Sequence, residues 1–203
     1  MSGPQRAVAF DWGGVFTLGT FDGRSTERLA ERYGLDLEEV RRHYFSLVAR
    51  LELGEWGLEH FWQEFSRRIG LAGVPYGDFR ELYLGSIREN PAMYGFLSAL
   101  PGHYRSGLLS NNYPEVCGVL RADPRLRRLD ALVFSNEIGA KKPDACAFHA
   151  LTAALGVPPE RTAFVDDVEE NLEAARRLGF QALLYDDHQR FLERFAAWEA
   201  SHD

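Results

Sequence analysis

The sequence predicts an α/β fold, with a doubly wound, Rossmann-like parallel sheet as its core and an α-helical cap subdomain inserted into it. Three observations predict this architecture. Short apolar runs recur and end in polar loops, amphipathic segments alternate with these runs from residue 105 onward, and residues 20–88 show helical patterns alone. Strands covered on both faces form such continuous apolar runs, and alternating strands and helices build a parallel sheet.

The predicted strands are five apolar runs. They are AVAF (7–10), SGLLS (106–110), ALVFS (131–135), TAFVD (162–166) and QALLY (181–185). Between the later runs lie three predicted helices: PEVCGVLRA, PDACAFHALTAALG and NLEAARRLG. Gly156 and Gly179 end the last two segments, and glycine is the residue type favoured just past a helix C-terminus.

The chain between the first two strands predicts a separate helical unit. Its helical patterns are STERLAERYG, LEEVRRHYFSLVARLE (37–52), LEHFWQEFSRRIG and DFRELYLGSIRE, followed by a return helix, PAMYGFLSAL. We therefore predict an α/β core of residues 1–19 and 89–203 and a helical cap of residues 20–88.

Composition limits the function classes that are compatible with this sequence. The 203 residues carry a net charge of −7, and no Lys or Arg run would track a nucleic-acid backbone. The longest apolar run is too short to cross a membrane. The two cysteines, Cys117 and Cys146, are far apart, which suggests a reducing compartment. We expect a cytoplasmic protein without nucleic-acid or membrane partners, and the oligomeric state stays open.

Polar residues follow the predicted strands where each strand ends. They are Asp11, Ser110 with Asn111, and the pair Asp166–Asp167, joined by Lys142 from the loop GAKKP. The carboxyl ends of parallel strands meet at one edge of the sheet, where ligands bind. Three carboxylates in one crevice repel each other unless a cation joins them, and oxygen ligands favour Mg²⁺. A lysine and a serine nearby suit the oxygens of a phosphoryl group.

Each of these residues also has a structural explanation. Asp11 could be a turn residue, and Ser110-Asn111-Asn112 could cap a helix. Lys142-Pro143 is a common loop pair at a first helical turn, and Asp166-Asp167 could complement the dipole of the next helix. Their order at consecutive strand ends favours a shared site.

Four segments in this order resemble the motifs of a known family. AFDWGGV, LLSNN, GAKKPDACAFHALTAALG and AFVDDVEENLEAARRLG are similar to those of the haloacid dehalogenase (HAD)-like hydrolase superfamily. The cap position resembles the phosphatase-type branch, in which a small helical cap follows the first motif. The resemblance spans nearly the whole chain. It implies a HAD-like fold, a phosphoric monoester hydrolase activity, a Mg²⁺ cofactor and a small phosphorylated metabolite as partner.

The resemblance also implies roles for individual residues. Asp11 would be the nucleophile that forms an aspartyl-phosphate. Ser110 and the backbone N–H of Asn111 would bind phosphoryl oxygens, and Lys142 would neutralise charge on the nucleophile and the transferred group.

The metal site that the resemblance implies uses four residues. Asp167 matches the family's principal metal-binding acid, and Asp166 would support it directly or through water. A carboxylate oxygen of Asp11 and the backbone carbonyl of Gly13 would complete the protein ligands.

Gly13 stands where most phosphatases of this family carry a second aspartate. That aspartate acts as general acid and base, and such assistance contributes about 10²–10⁴-fold in rate. Gly13 and Gly14 leave backbone N–H groups able to approach phosphoryl oxygens. The missing proton could come from water or from a cap residue, and the candidates are Asp22, His43, Glu52, Glu55 and His60. The sequence does not rank them.

Three functions remain open at this point. The favoured one is a phosphatase for substrates with a good leaving group, such as anomeric sugar phosphates or acyl phosphates. A 2-haloacid dehalogenase would need no leaving-group acid, but the acid pair Asp166–Asp167 opposes it, because such dehalogenases use no metal. A non-catalytic metal- or phosphate-binding protein would explain the glycine but not the other motifs.

Overall fold

The computed structural model describes residues 6–201, except for the side chain of Phe21, and contains the predicted parallel sheet. The strands are β1 (Arg6–Phe10), β2 (Tyr104–Ser110), β3 (Ala131–Phe134), β4 (Thr162–Asp166) and β5 (Gln181–Leu184). Their order is β3-β2-β1-β4-β5, and every neighbouring pair is parallel. The winding reverses between β1 and β4, which makes this the switch point where ligands bind in such sheets.

The helices of the described residues fall into an inserted group and a sheet-covering group. The inserted helices are α1 (Phe21–Tyr33), α2 (Leu37–Phe45), α3 (Val48–Glu52), α4 (Leu58–Arg68) and α5 (Tyr76–Leu84). The others are α6 (Pro91–Ala99), α7 (Pro114–Ala122), α8 (Ser135–Ile138), α9 (Ala145–Leu155), α10 (Glu169–Arg177) and α11 (His188–Ala200). Within residues 6–201, each helix is too short or too polar to span a bilayer.

Helices cover both faces of the sheet, which is why most strand residues are apolar. Val8 and Phe10 of β1 lie in the cluster that contains the apolar residues of α6, α7 and α11. Ala7 and Ala9 point to the opposite cluster, which α9 and α10 complete. Successive side chains of a strand point to opposite faces, so the run AVAF contributes to both layers.

The prediction of one helix over residues 37–52 is wrong. α2 ends at Phe45 and α3 begins at Val48, with Ser46 as the residue that caps α2. The break turns α3 towards the strand ends, where the Glu52 carbonyl accepts a hydrogen bond of 2.6 Å from Ser135 Oγ. It also leaves Phe45 53% exposed.

The bounds of most other elements differ by at most two residues from the prediction, but α1 begins four residues before STERLAERYG (25–34), and α5 ends five residues before the end of DFRELYLGSIRE (78–89). β2 begins at Tyr104, and β3 and β5 each stop one residue early, because Ser135 starts α8 and Tyr185 leaves the ladder. Helix α11 is absent from the sequence prediction. It packs Phe191, Phe195 and Trp198 against the sheet layer that contains α6.

The two chain segments that connect the insertion to the sheet run side by side. Thr17 and Glu89 form an antiparallel bridge, and Leu18 N–H donates to the Arg88 carbonyl at 2.7 Å. This pairing lies next to the predicted boundaries at residues 19/20 and 88/89. It supports the division into core and cap, which stays a prediction.

Candidate active site

The predicted site residues meet at the carboxyl edge of the sheet. Asp11 follows β1, Ser110 ends β2, Asp166 ends β4, and Lys142 comes from the loop between α8 and α9. A cavity of about 160 Å³ lies here, and its lining includes Asp11, Gly13, Ser110, Asn111, Lys142 and Asp167. The residues that follow the strands therefore lie together at one cavity, as their positions in the sequence predict.

A buried lysine joins two of the carboxylates. Lys142 Nζ lies 2.9 Å from Asp11 Oδ1 and 2.7 Å from Asp166 Oδ2. Lys142 is only 2% exposed. Burial opposes its charged form, but the two carboxylates outweigh this effect and raise the pKa of Lys142 above its usual value. The side chain is therefore a fixed ammonium ion beside Asp11.

The backbone of Lys142 is held by Asn111. The Asn111 amide donates from Nδ2 to the Lys142 carbonyl at 3.0 Å and accepts the Lys142 N–H at Oδ1 at 2.9 Å. Both ends of this side chain are thus used to fix the lysine loop. The predicted contact of Asn111 with a phosphoryl group would use its backbone N–H and stays a prediction.

Asp166 is fully surrounded by donors. Its Oδ1 accepts the Val168 N–H at 2.8 Å, and Asn171 Nδ2 lies 3.2 and 3.1 Å from its two oxygens. Together with Lys142 these contacts occupy both oxygens, which favours a positioning role over direct metal binding. Asn171 is a site residue that the sequence analysis missed, although it stands in the first turn of the helix after the acid pair.

The three acids form a compact negative cluster. Carboxylate oxygens of Asp11, Asp166 and Asp167 lie within 4.8 Å of one another. Burial raises the pKa of Asp11 to about 7, with Lys142 opposing and the other two acids adding to the rise. Burial and Asp166 likewise raise the pKa of Asp167 to about 6. A hard divalent cation would offset the repulsion between these carboxylates, and their oxygen atoms are the ligands that such a cation prefers.

Ser110 is prepared to donate a hydrogen bond. It is 2% exposed, and its Oγ accepts from Asn112 Nδ2 at 3.1 Å. A hydroxyl that already accepts from an amide keeps its own proton for another acceptor. In this cavity that acceptor can be an anion.

The two glycines after Asp11 have different environments. A Cβ at Gly13 would meet nothing within 4 Å, whereas Gly14 has φ +74° and a Cβ there would collide with the Asp167 carboxylate. The Gly14 N–H donates to Thr17 Oγ1 at 2.9 Å. This bond gives no support to the prediction that Gly14 binds phosphate. Gly14 instead makes room for Asp167.

Comparison with known proteins identifies the family. The sequence profile described as haloacid dehalogenase-like hydrolase matches residues 5–179. The chain belongs to the HAD-like hydrolases. Phosphatase MT3486 of Mycobacterium tuberculosis is 30% identical over an alignment of 190 residues. This alignment covers 89% of this chain and 87% of that protein.

Two further relatives come from Bacteroides thetaiotaomicron. A D-ribitol-5-phosphate phosphatase is 24% identical over 86% of this chain and 88% of its own length. The solved structure of a HAD family enzyme in its magnesium complex has a TM-score of 0.74 at 20% identity, covering 89% of this chain and 93% of that one. This second likeness shows the fold alone.

In this HAD-like hydrolase the insertion brings two of the five candidate proton donors to the cavity. Asp22 from α1 and Glu52 from α3 are among its lining residues, whereas His43, Glu55 and His60 are not. Sequence patterns could not separate these candidates, because their positions depend on how α1 and α3 lie on the strand ends.

The two glycines give a matched pair of substitutions. We expect Gly14→Ala to lower the free energy of unfolding by about 1–3 kcal/mol, because of its positive φ and the collision with Asp167. Gly13→Ala is the control and should unfold like the wild type, since its Cβ has space. Urea titration of the two variants checks this, and equal stabilities would contradict it.

Proposed function

We propose that this protein is a Mg²⁺-dependent phosphatase that hydrolyses small phosphate monoesters, sugar phosphates among them, through an aspartyl-phosphate on Asp11. The observation that carries the proposal is the buried ion pair of Asp11 with Lys142, 2.9 Å apart, in a small cavity that Ser110 also lines. The phosphatase names of the two curated relatives support it.

The acids of the site suit a resident magnesium ion. Asp11, Asp167 and the Gly13 carbonyl would hold it, with Asp166 in support, and the clustered carboxylates with raised pKa values fit this donor set. When bound, Mg²⁺ would neutralise the negative charge of the acids and of the phosphoryl group.

In the first step, an Asp11 carboxylate oxygen attacks phosphorus, and the bond from phosphorus to the leaving oxygen breaks. Lys142 orients the nucleophile and, because its ammonium is fixed before substrate binds, offers charge to the phosphoryl oxygens without reorganisation. Ser110 donates its hydroxyl proton to another of these oxygens.

In the second step, water attacks the phosphorus of the aspartyl-phosphate and releases inorganic phosphate. Asp11 returns as a carboxylate and regains its ion pair with Lys142. Asp166 keeps the lysine in place throughout, since its own oxygens are held by Val168 and Asn171.

The other two functions find less support. The retained carboxylates of Asp166, which is buried, and Asp167, which is half-buried, oppose a metal-free dehalogenase, because two further acids beside Asp11 call for a cation. Mere binding would not need a carboxylate paired with a buried lysine.

Phosphate release from sugar 1-phosphates, acyl phosphates, alkyl phosphates and p-nitrophenyl phosphate, with Mg²⁺ and with EDTA, tests the proposal directly.

Asp11→Asn should reduce phosphate release to background, because the amide is not a nucleophile at this position. The change preserves side-chain shape, so thermal melting should still show a cooperative transition. Asp78→Asn, at an exposed position of α5, is the matched control and should keep full activity. Turnover by Asp11→Asn would refute the aspartyl-phosphate.

Mg²⁺ should raise the melting temperature more at pH 8 than at pH 5. The folded-state pKa values of Asp11, about 7, and Asp167, about 6, lie above the unfolded value of about 4. Without metal, the folded state disfavours the ionised forms of these two acids. Their contribution to the free energy of unfolding is therefore fully present below pH 4 and is lost as the pH rises through 6 to 7. The cation binds the ionised acids and restores it.

Differential scanning calorimetry in MgCl₂ and in NaCl of equal ionic strength measures this shift. Asp167→Asn should remove most of it. A shift that is equal at both pH values, or larger at pH 5, would contradict the assignment of the acid cluster as the binding site.

A further inference from the structure

A phosphatase with glycine at position 13 needs another source for the proton of the leaving group. We propose that Asp22, on the first turn of inserted helix α1, donates this proton and then accepts one from the attacking water. The inference rests on the proposed phosphatase function. It makes Asp22 a catalytic residue, in a segment outside the four motifs.

The position of Asp22 suits this role. The cavity is lined both by strand-end residues and by Thr20, Asp22 and Glu52 of the insertion. In an in-line displacement the leaving oxygen lies opposite the nucleophile, so it faces the insertion when Asp11 attacks. The cavity is small, about 160 Å³, which keeps the leaving oxygen close to these residues.

The other cavity-lining groups that carry protons have partners that limit them. Glu52 Oε2 is engaged by Lys141 Nζ in an ion pair of 2.6 Å. Burial raises the pKa of Tyr113 well above 10, so this phenol is a weak acid. The Thr20 hydroxyl accepts the Gly23 N–H and caps α1, and as an alcohol it is far too weak an acid to give up its proton near neutral pH. Lys142 is committed to its two carboxylates.

Asp22 is held in place by a chain of buried tyrosines. Tyr44 OH of α2 donates to Asp22 Oδ1, and it also forms a hydrogen bond with Tyr83 OH of α5. The ring of Tyr83 in turn stacks on the ring of Tyr113, with 5.6 Å between their centroids, and Tyr113 follows β2 and lines the cavity. One carboxyl oxygen of Asp22 is therefore fixed, which leaves Oδ2 to exchange a proton.

The protonation of Asp22 suits both halves of the reaction. Burial raises its pKa to about 6; the Tyr44 hydrogen bond opposes this rise, Glu52 of α3 adds to it, and Lys141 opposes it. The remaining titratable neighbour, Tyr83 of α5, stays neutral because burial raises its pKa well above 10. At pH 7 about a tenth of Asp22 carries a proton, and a pKa near the working pH favours a group that must serve as acid and base.

The proton balance closes over one turnover. As the phosphorus–oxygen bond breaks, the electron pair stays on the leaving oxygen, which takes the proton of Asp22 and departs as an alcohol. The Asp22 carboxylate then takes a proton from water while the water oxygen bonds to phosphorus. Asp11 leaves, phosphate is released, and Asp22 is again protonated.

Leaving-group dependence is the test of this role. For the alkyl phosphate that the wild type cleaves fastest, Asp22→Asn should lower kcat/KM by about 10²-fold or more. For p-nitrophenyl phosphate, whose leaving group needs no proton, kcat/KM should stay near the wild-type value. kcat for this ester should fall with a burst of nitrophenolate, because the second step then lacks its base.

Three further variants complete the experiment. Glu55→Gln changes an exposed carboxylate that pairs with Arg50 at 3.8 Å, and it should leave all rates unchanged. Tyr44→Phe should move the alkaline limb of the pH–kcat/KM profile to higher pH. The Tyr44 hydrogen bond lowers the pKa of Asp22, so its removal raises that pKa. Asp22→Asn with Gly13→Asp should regain alkyl phosphate hydrolysis, because a side chain at position 13 has space.

The outcomes separate this inference from the proposed function. No phosphate release by the wild type from any ester would overturn the phosphatase itself. A wild type that cleaves p-nitrophenyl phosphate but no alkyl phosphate would overturn only the role of Asp22. So would an Asp22→Asn variant that loses kcat/KM equally for both esters, or loses nothing.

Discussion

The site depends on one buried ammonium ion shared by two carboxylates. Lys142 Nζ contacts Asp11 after β1 and Asp166 at the end of β4, at 2.9 and 2.7 Å. The β1–β4 register pairs Phe10 with Val165, which brings the two acids side by side at the switch point. Leaving either acid unpaired inside the protein would cost about 3–5 kcal/mol. The hydrogen bonds of Asn111 to the Lys142 backbone and the donors around Asp166 therefore fix the position of Lys142 beside Asp11.

The residues that follow parallel strands were predictable, because topology alone brings them together. Asp11, Ser110, Lys142 and Asp167 line one cavity as their positions in the sequence indicate. The approach of Asp22 was not predictable, since it depends on the packing of α1, α2 and α5 rather than on a local pattern. The break between α2 and α3 escaped prediction for the same reason: its cause lies in distant contacts of α3 with the strand ends.

The paired glycines show how far a resemblance can be carried. The sequence treats both as places where backbone can approach a phosphoryl group. In the fold, Gly14 has a positive φ, bonds to Thr17 and leaves room for Asp167, so it serves the acid cluster. Gly13 has no such constraint, and open space surrounds its missing side chain. Sterics therefore do not exclude a Cβ at position 13.

In the mechanism that we propose, the proton donor lies on the insertion instead of at the sheet edge. This position changes when the donor can reach the leaving oxygen. An acid at position 13 would belong to the core and would face the cavity whatever the inserted helices did. Asp22 is held by hydrogen bonds through Tyr44 to Tyr83 of the insertion, and the Tyr83 ring stacks on Tyr113 of the core. The contacts of Glu52 with Lys141 and Ser135 tie the same insertion to the strand ends. Proton transfer then requires the insertion to cover the cavity, and a covered cavity excludes water while the first bond breaks.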